Sequence, residues 1–305
     1  MRTPDFRIEF EPRHGEAVAV LPGLQRLTAN NPSPFTFHGT NTYILGEGEC
    51  VAVIDPGPAD ERHLEALMRA LGDRTVSHIL VTHTHVDHSP LAARAKAATG
   101  ARTFAQGPHR AARPLHTGEV NPLDASGDTD FRPDVTLADG DTIDGEGFRL
   151  KAVFTPGHTA NHMAFAWQGT DHLFSGDHVM AWATSIVAPP DGSMADYMAS
   201  LDRILAEPQT TYWPGHGGRL ENAHAFTRAL KAHRRMREKA VLEQVRTGRE
   251  TVPEMVAVIY ATTDPRLHGA AGLSVLAHLE DLVGRGLVET DGPPSLDGRY
   301  RVGDG

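Results

Sequence analysis

The chain carries a single cysteine, Cys50, among 305 residues. That excludes an internal disulfide framework and any zinc cluster built on thiolates, and it makes a reducing, cytoplasmic setting the expectation. Long apolar runs are missing too. None approaches the ~20 residues needed to cross a bilayer, and the opening stretch MRTPDFRIEFEP has no apolar secretory core. No membrane partner is expected. Net positive charge is also absent: 29 Lys and Arg stand against 39 Asp and Glu, for a formal charge of −10. The surface as a whole is therefore no platform for nucleic acid, which leaves only a local basic patch for that purpose. Hydrophobic residues at 40% and charged residues at 22% are ordinary globular usage and exclude a disordered or fibrous chain. What the chain has in excess is histidine, the commonest metal ligand, with 18 copies.

Over roughly the first 220 residues, short apolar strands alternate with helices, the pattern of a layered α/β core. The expected strands include Asn41–Leu45, Cys50–Ile54, Ser77–Thr82, Phe148–Phe154, Met163–Trp167 and His172–Phe174. Helical spacing marks Ala59–Leu71 and Pro90–Thr99, and Ser89 before Pro90 reads as a helix cap. Pro114–Pro133, rich in Gly, Pro, Asp and Asn, reads as a long surface loop. Asn222–Thr247 is one long helical stretch whose charge is mostly basic, and Gly248 ends it. Helices over Val252–Tyr260 and Leu273–Gly284, then a hairpin of Gly286–Glu289 with Arg299–Val302, make a winged-helix pattern. Two domains follow: 1–247, which includes the connecting helix 222–247, and 248–305.

The chemistry concentrates in Thr82-His83-Thr84-His85-Val86-Asp87-His88, between the apolar Ile79–Val81 and the helix that follows. Side chains two apart in an extended segment point the same way, so His83 and His85 can grip one ion. Asp87 and His88, at the turn into the helix, can reach a second. Thr155-Pro156-Gly157-His158 and Pro214-Gly215-His216 each follow a strand, and each Pro-Gly pair suits a tight turn that presents a histidine. Phe174-Ser175-Gly176-Asp177 delivers a carboxylate from another strand end. In open α/β sheets such segments converge outside one set of strand ends.

These seven positions, His83, His85, Asp87, His88, His158, Asp177 and His216, resemble the dinuclear site of the metallo-β-lactamase fold in type and order. The resemblance implies a four-layer αββα sandwich carrying a small C-terminal winged-helix domain. It implies two zinc ions per chain, with manganese or iron as alternatives. One would be held by His83, His85 and His158, the other by Asp87, His88 and His216, and Asp177 would bridge them. Asp87 and Asp177 are the candidate catalytic carboxylates, and Asp55 is a candidate partner for the far nitrogen of a ligand imidazole. Asn161, His162 and Thr184, close to the ligands in sequence, are candidates for substrate contact.

Asn31-Pro32-Ser33-Pro34-Phe35 with Gly39-Thr40-Asn41-Thr42-Tyr43, then Thr155–Met163, Asp196-Tyr197-Met198 and the tail, are similar to the β-lactamase-like protein 2 group. That group includes an endoribonuclease acting on single-stranded RNA as well as bacterial hydrolases. The implied activity is hydrolysis by metal-activated hydroxide, with single-stranded RNA as the expected substrate. A small carboxylic ester, thioester or lactone is the alternative, which the acidic surface and Val86 suit better. A non-catalytic nucleic-acid-binding regulator is the third reading, and Asp177 weighs against it, because a structural zinc site needs no second ion.

Other features have plainer readings. The basic run Arg228, Lys231, Arg234, Arg235, Arg237 and Lys239 reads as a solvated helix face before it reads as a phosphate-tracking stripe. His178, directly after Asp177, points the other way and reads as structural. His14, His38, His63, His109, His116 and His278 read as surface or satisfied core residues, and Asp139-Gly140-Asp141 as a turn. Glu280 and Asp281 make the last helix poor for entering a nucleic-acid groove. Homodimerisation or shaping of a substrate channel suits it better.

Overall fold

The computed structural model describes residues 4–117, 119, 121 and 124–303. Its layers follow from strand periodicity. β3 (Asn41–Leu45) is buried along its whole length and β4 (Cys50–Ile54) is apolar throughout because both faces are covered. Tyr43, Leu45, Ala52 and Ile54 enter a core shared with Phe165, Phe174 and Trp213. Their alternates Ile44, Val51 and Val53 enter a second core with Leu67 and Leu71 of α1 (Glu61–Leu71).

The first sheet has seven strands. β1 (Ala17–Leu21), β2 (Leu24–Thr28), β3, β4, β5 (Thr75–Leu80), β6 (Arg102–Ala105) and β7 (Val135–Thr136) lie side by side in sequence order. The second has five, from β12 (Thr211–Pro214) through β11 (His172–Gly176), β10 (Met163–Trp167) and β9 (Phe148–Phe154) to β8 (Thr142–Gly145). α1 and α2 (Ala92–Thr99) cover the outer face of the first sheet. α3 (Met194–Ala206) and the N-terminal half of α4 (Ala223–Arg246) cover that of the second, through Tyr197, Leu201, Phe226 and Leu230. This is a four-layer αββα sandwich. The C-terminal unit has its own core, where α5 (Val252–Ile259), α6 (His268–Gly284) and the hairpin β13 (Val288–Thr290) with β14 (Tyr300–Val302) pack together. Val241 and Val245 of α4 enter that core, so one helix serves both units. No helix among the described residues is long and apolar enough to cross a membrane.

Several local expectations are corrected. α2 begins after Leu91 without a side-chain cap. Ser89 does not cap it: the helix starts two residues later than expected, and the Ser89 side chain turns instead to donate to Asp128 Oδ2 at 2.6 Å. The strand expected over 77–82 lies at Thr75–Leu80, and the helix expected from Leu273 starts at His268. Residues 114–133 are not all surface loop. Asp124–Ser126 form a 3-10 turn, and the amides of Val86 and Asp128 donate to Ser126 O and Thr84 O at 2.9 and 2.8 Å. Residues 118, 120, 122 and 123 of that stretch lie outside the described residues.

Candidate active site

β4 and β5 run parallel in the first sheet, while β9, β11 and β12 share one direction in the second. The residues that follow these five strands meet at one edge of the sandwich. His83, His85 and His158 form one group whose ligand atoms all lie within 4.8 Å of one another, Asp87, His88 and His216 form another, and His83, His88 and Asp177 a third. Asp177 Oδ2 is 3.2 Å from His216 Nε2 and 3.7 Å from His158 Nε2, so this carboxylate stands between the two histidine groups.

The outer hydrogen bonds fix which nitrogen faces inward. Ile186 O can only accept, so His158 Nδ1, 2.7 Å away, carries the proton and leaves Nε2 a lone pair. His216 Nδ1 likewise donates to Gly39 O at 3.2 Å, and His88 Nδ1 to Asp55 Oδ2 at 3.0 Å. Thr82 Oγ1 gives its hydrogen to Asp55 Oδ2 at 2.7 Å and so accepts from His83 Nδ1 at 3.0 Å. Asp55 Oδ1 takes the Thr82 amide at 2.7 Å. His85 turns the other way, with Nδ1 3.0 Å from both His83 Nε2 and His158 Nε2. Three buried ring nitrogens converge there with at most one proton among them.

The electrostatics divide the cluster. Burial, reinforced by the neighbouring imidazoles, holds His83 well below the usual histidine range and His85 at about 3. Burial also lowers His158. These rings are neutral, as metal ligation requires. Burial opposes charge on His88 and His216 too, but Asp87 and Asp177 outweigh it, raising His88 well above its usual value and His216 to about 9. Reciprocally, His88 and His216 overcome burial and keep Asp87 and Asp177 ionised. The inward protons of His88 and His216 thus supply positive charge where cations would supply it.

Two further observations fit a metal. Asp177 Oδ1 is buried without a hydrogen-bond partner. A Cβ on Gly215 would come within 2.3 Å of that oxygen and 2.6 Å of His88 Cε1, so only glycine leaves the cradle open. Gly215 serves closeness of approach, not a tight turn: Pro214 still belongs to β12, and Gly215 is not among the residues with positive φ. Gly157, at φ 135°, does use the glycine-only conformation expected of its Pro-Gly pair.

Of the three sequence candidates for substrate contact, two make bonds within the protein. Asn161 is buried, donating to Thr84 Oγ1, Gly107 O and Pro108 O at 2.8 to 3.2 Å, and ties two loops together. His162 is fully buried behind the site, where its Nε2 accepts the Asp177 amide at 3.1 Å. Thr184 is half-buried, and no side-chain bond joins it to the cluster among the described residues. His178 is buried against Tyr197, their rings 4.8 Å apart, as a structural residue. Sequence reasoning missed Asn41, whose side chain donates to Pro214 O and Gly217 O at 3.1 and 2.9 Å and so pins the His216 segment. The polar run Thr40-Asn41-Thr42 opening an apolar strand was the available signal. Thr40 Oγ1 also donates to Asp87 Oδ2 at 3.0 Å.

Comparison with known proteins agrees with this geometry. Residues 35–216 match the metallo-beta-lactamase superfamily model, and residues 251–294 match the beta-lactamase associated winged helix domain. The chain is 31% identical over 284 residues to a beta-lactamase-like protein 2 homolog of Drosophila melanogaster, covering 87% of this chain and 91% of that one. It is 28% identical over 249 residues to an atrochrysone carboxyl ACP thioesterase of Claviceps purpurea, covering 79% and 73%. A crystal structure of a metallo-beta-lactamase family protein from Thermus thermophilus superposes with a TM-score of 0.73 at 27% identity, covering 93% of this chain and 100% of that chain. The chain belongs to the metallo-beta-lactamase superfamily of hydrolases and carries the family's C-terminal winged helix domain.

Proposed function

We propose that this hydrolase cleaves an acyl thioester or a related carboxylic ester at a dinuclear metal centre. His83, His85 and His158 would hold one ion, Asp87, His88 and His216 the other, and Asp177 would be shared. Zinc suits this histidine and carboxylate set, as do manganese and iron. When bound, such a pair supplies Lewis acidity toward a carbonyl oxygen and a water that ionises near neutral pH. The chain's part is to hold and orient. Asp177, its backbone fixed by His162, would accept a hydrogen from the attacking water through Oδ1, which has no hydrogen-bond partner among the described residues. Thr40 and Asp55 keep Asp87 and His88 in position.

The rim carries the choice of substrate. Val86, inside the ligand motif, is 43% exposed. Phe37 stacks on Trp182 with centroids 4.8 Å apart and planes 10° apart, and both lie against Gly217, next to His216. Among the described residues every ion pair of Asp87 and Asp177 is with a histidine. An apolar, aromatic mouth suits an acyl group, and a thioesterase among the relatives supports that reading.

Single-stranded RNA remains the second reading, on one observation. Arg228, Arg235 and Lys239 are exposed at positions that recur on one face of α4. Three others of the run are occupied: Lys231 pairs with Asp202, Arg237 lies over Tyr260 at 4.9 Å, and Arg234 is buried. The test follows thiol release from a panel of acyl thioesters, alongside end-labelled RNA, with metal-loaded protein and Asp177→Asn as the matched control. Thioester turnover that is insensitive to salt and lost in the variant supports the proposal. RNA cutting that weakens steeply with salt, with thioesters untouched, overturns it in favour of the nuclease.

A further inference from the structure

Arg234 is 4% exposed, and it forms no ion pair among the described residues. A buried guanidinium without a carboxylate is costly, and its surroundings give the reason for its presence. Its Nη2 donates to the carbonyl of Ser185, and its Cζ lies 5.2 Å over the ring of Tyr197. The next carbonyl along the chain, Ile186 O, is the one that accepts from His158 Nδ1. Ser185 Oγ and Tyr197 Oη both donate to His178 O at 2.9 Å, and His178 directly follows Asp177. The guanidinium thus ties α4 and α3 to the segment that orients one ligand histidine and steadies the shared carboxylate.

We propose that Arg234 is a positioning residue for the metal centre. By fixing the Ser185 peptide it sets the Ile186 carbonyl, and that carbonyl holds the His158 ring in the orientation and tautomer that ligation needs. Outer hydrogen-bond partners of this kind are typically worth 10- to 100-fold in metal affinity. Acting through one intervening peptide, Arg234 should fall near the lower end, about tenfold. The proposal rests on the reading of His83, His85 and His158 as one ligand set.

The experiment compares the full-length wild type with Arg234→Met, which keeps the volume, and Arg234→Lys, which keeps a cation near Tyr197 but not the forked reach to Ser185. Zn2+ affinity is measured by chelator competition, the cobalt-substituted protein is followed by its visible absorption bands, and metal-free melting is recorded. Both variants should bind the ion about tenfold more weakly, with altered cobalt bands, even where Arg234→Lys melts like the wild type. Should Arg234→Met fail to fold, the lysine variant decides alone. Wild-type affinity and spectrum in Arg234→Lys, whatever its melting temperature, would reduce Arg234 to a packing residue and overturn the proposal. A wild type that takes up no metal would instead overturn the ligand reading itself, and the proposal with it.

Discussion

His278, in α6, is 1% exposed, and neither of its ring nitrogens has a hydrogen-bond partner among the described residues. It is a core residue but not a satisfied one, contrary to the expectation from sequence. Burial, with Arg234, His233, Arg237 and Arg285 nearby, pushes its pKa down to about 3. In an unfolded chain the same ring titrates near ~6.5. Between those values unfolding takes up a proton, so stability falls as the pH falls, and the loss is complete once the folded ring also titrates. Relative to pH 7.5, this one side chain should cost about 2 kcal/mol by pH 5. His278→Leu removes both that dependence and two unpaired polar atoms, whose burial costs on the order of 1–3 kcal/mol. Urea unfolding of both proteins at pH 7.5 and pH 5 is the assay. The variant should be the more stable at pH 7.5, and its advantage should widen by about 2 kcal/mol at pH 5, since all other titrations cancel in the difference. An advantage of equal size at both pH values would mean that the ring finds a partner or water in the fold, and it would refute the reasoning.

Two more perturbations read the metal centre directly. Gly215→Ala should fold, as judged by circular dichroism, yet fail to retain metal through dialysis, because its methyl enters the space beside Asp177 and His88. Gly157→Ala makes the useful contrast: its methyl would meet the backbone of Tyr197 at 2.3 to 2.4 Å, so that chain should lose folded yield instead. Asp55→Asn sets an amide N–H2 where Asp55 now accepts from three donors, Thr82 N, Thr82 Oγ1 and His88 Nδ1. It should lose about 1–3 kcal/mol of stability and roughly 10- to 100-fold in metal affinity, read by thermal melting and chelator competition. Unchanged affinity would remove Asp55 from any role in holding His88.

What could be read from the sequence was local. β3, β4, β9 and β10 have the bounds expected of them, because their apolar residues run or alternate along the strand and stop at polar or glycine residues. The family resemblance likewise hung on a short motif and strand-end histidines. What stayed hidden depends on partners far away in the chain. Asn41 acts on residues 173 and 176 positions further on, and the polar run around it marks it as unusual without saying what it binds. Ser89 had the residue type and position of a cap, but an acceptor 39 residues away claims its hydroxyl. Arg234 sat in a run of basic residues that all looked alike. Only the packing of α4 separates the exposed Arg235 from its buried neighbour.

The same packing bears on the C-terminal unit. A helix that reads nucleic acid must present free cations, and the charged groups of α6 are acidic and already engaged. Glu280 accepts from Arg113 at 2.6 and 3.0 Å, Arg113 also pairs with Glu119, and Asp281 pairs with Arg285. Those bonds do tie α6 to Arg113 and Glu119. α4, which shares the core of this unit, reaches Ser185 on the opposite loop through Arg234. α6 and α4, which share the core of the C-terminal unit, thus each hold a loop that follows a strand of a different sheet.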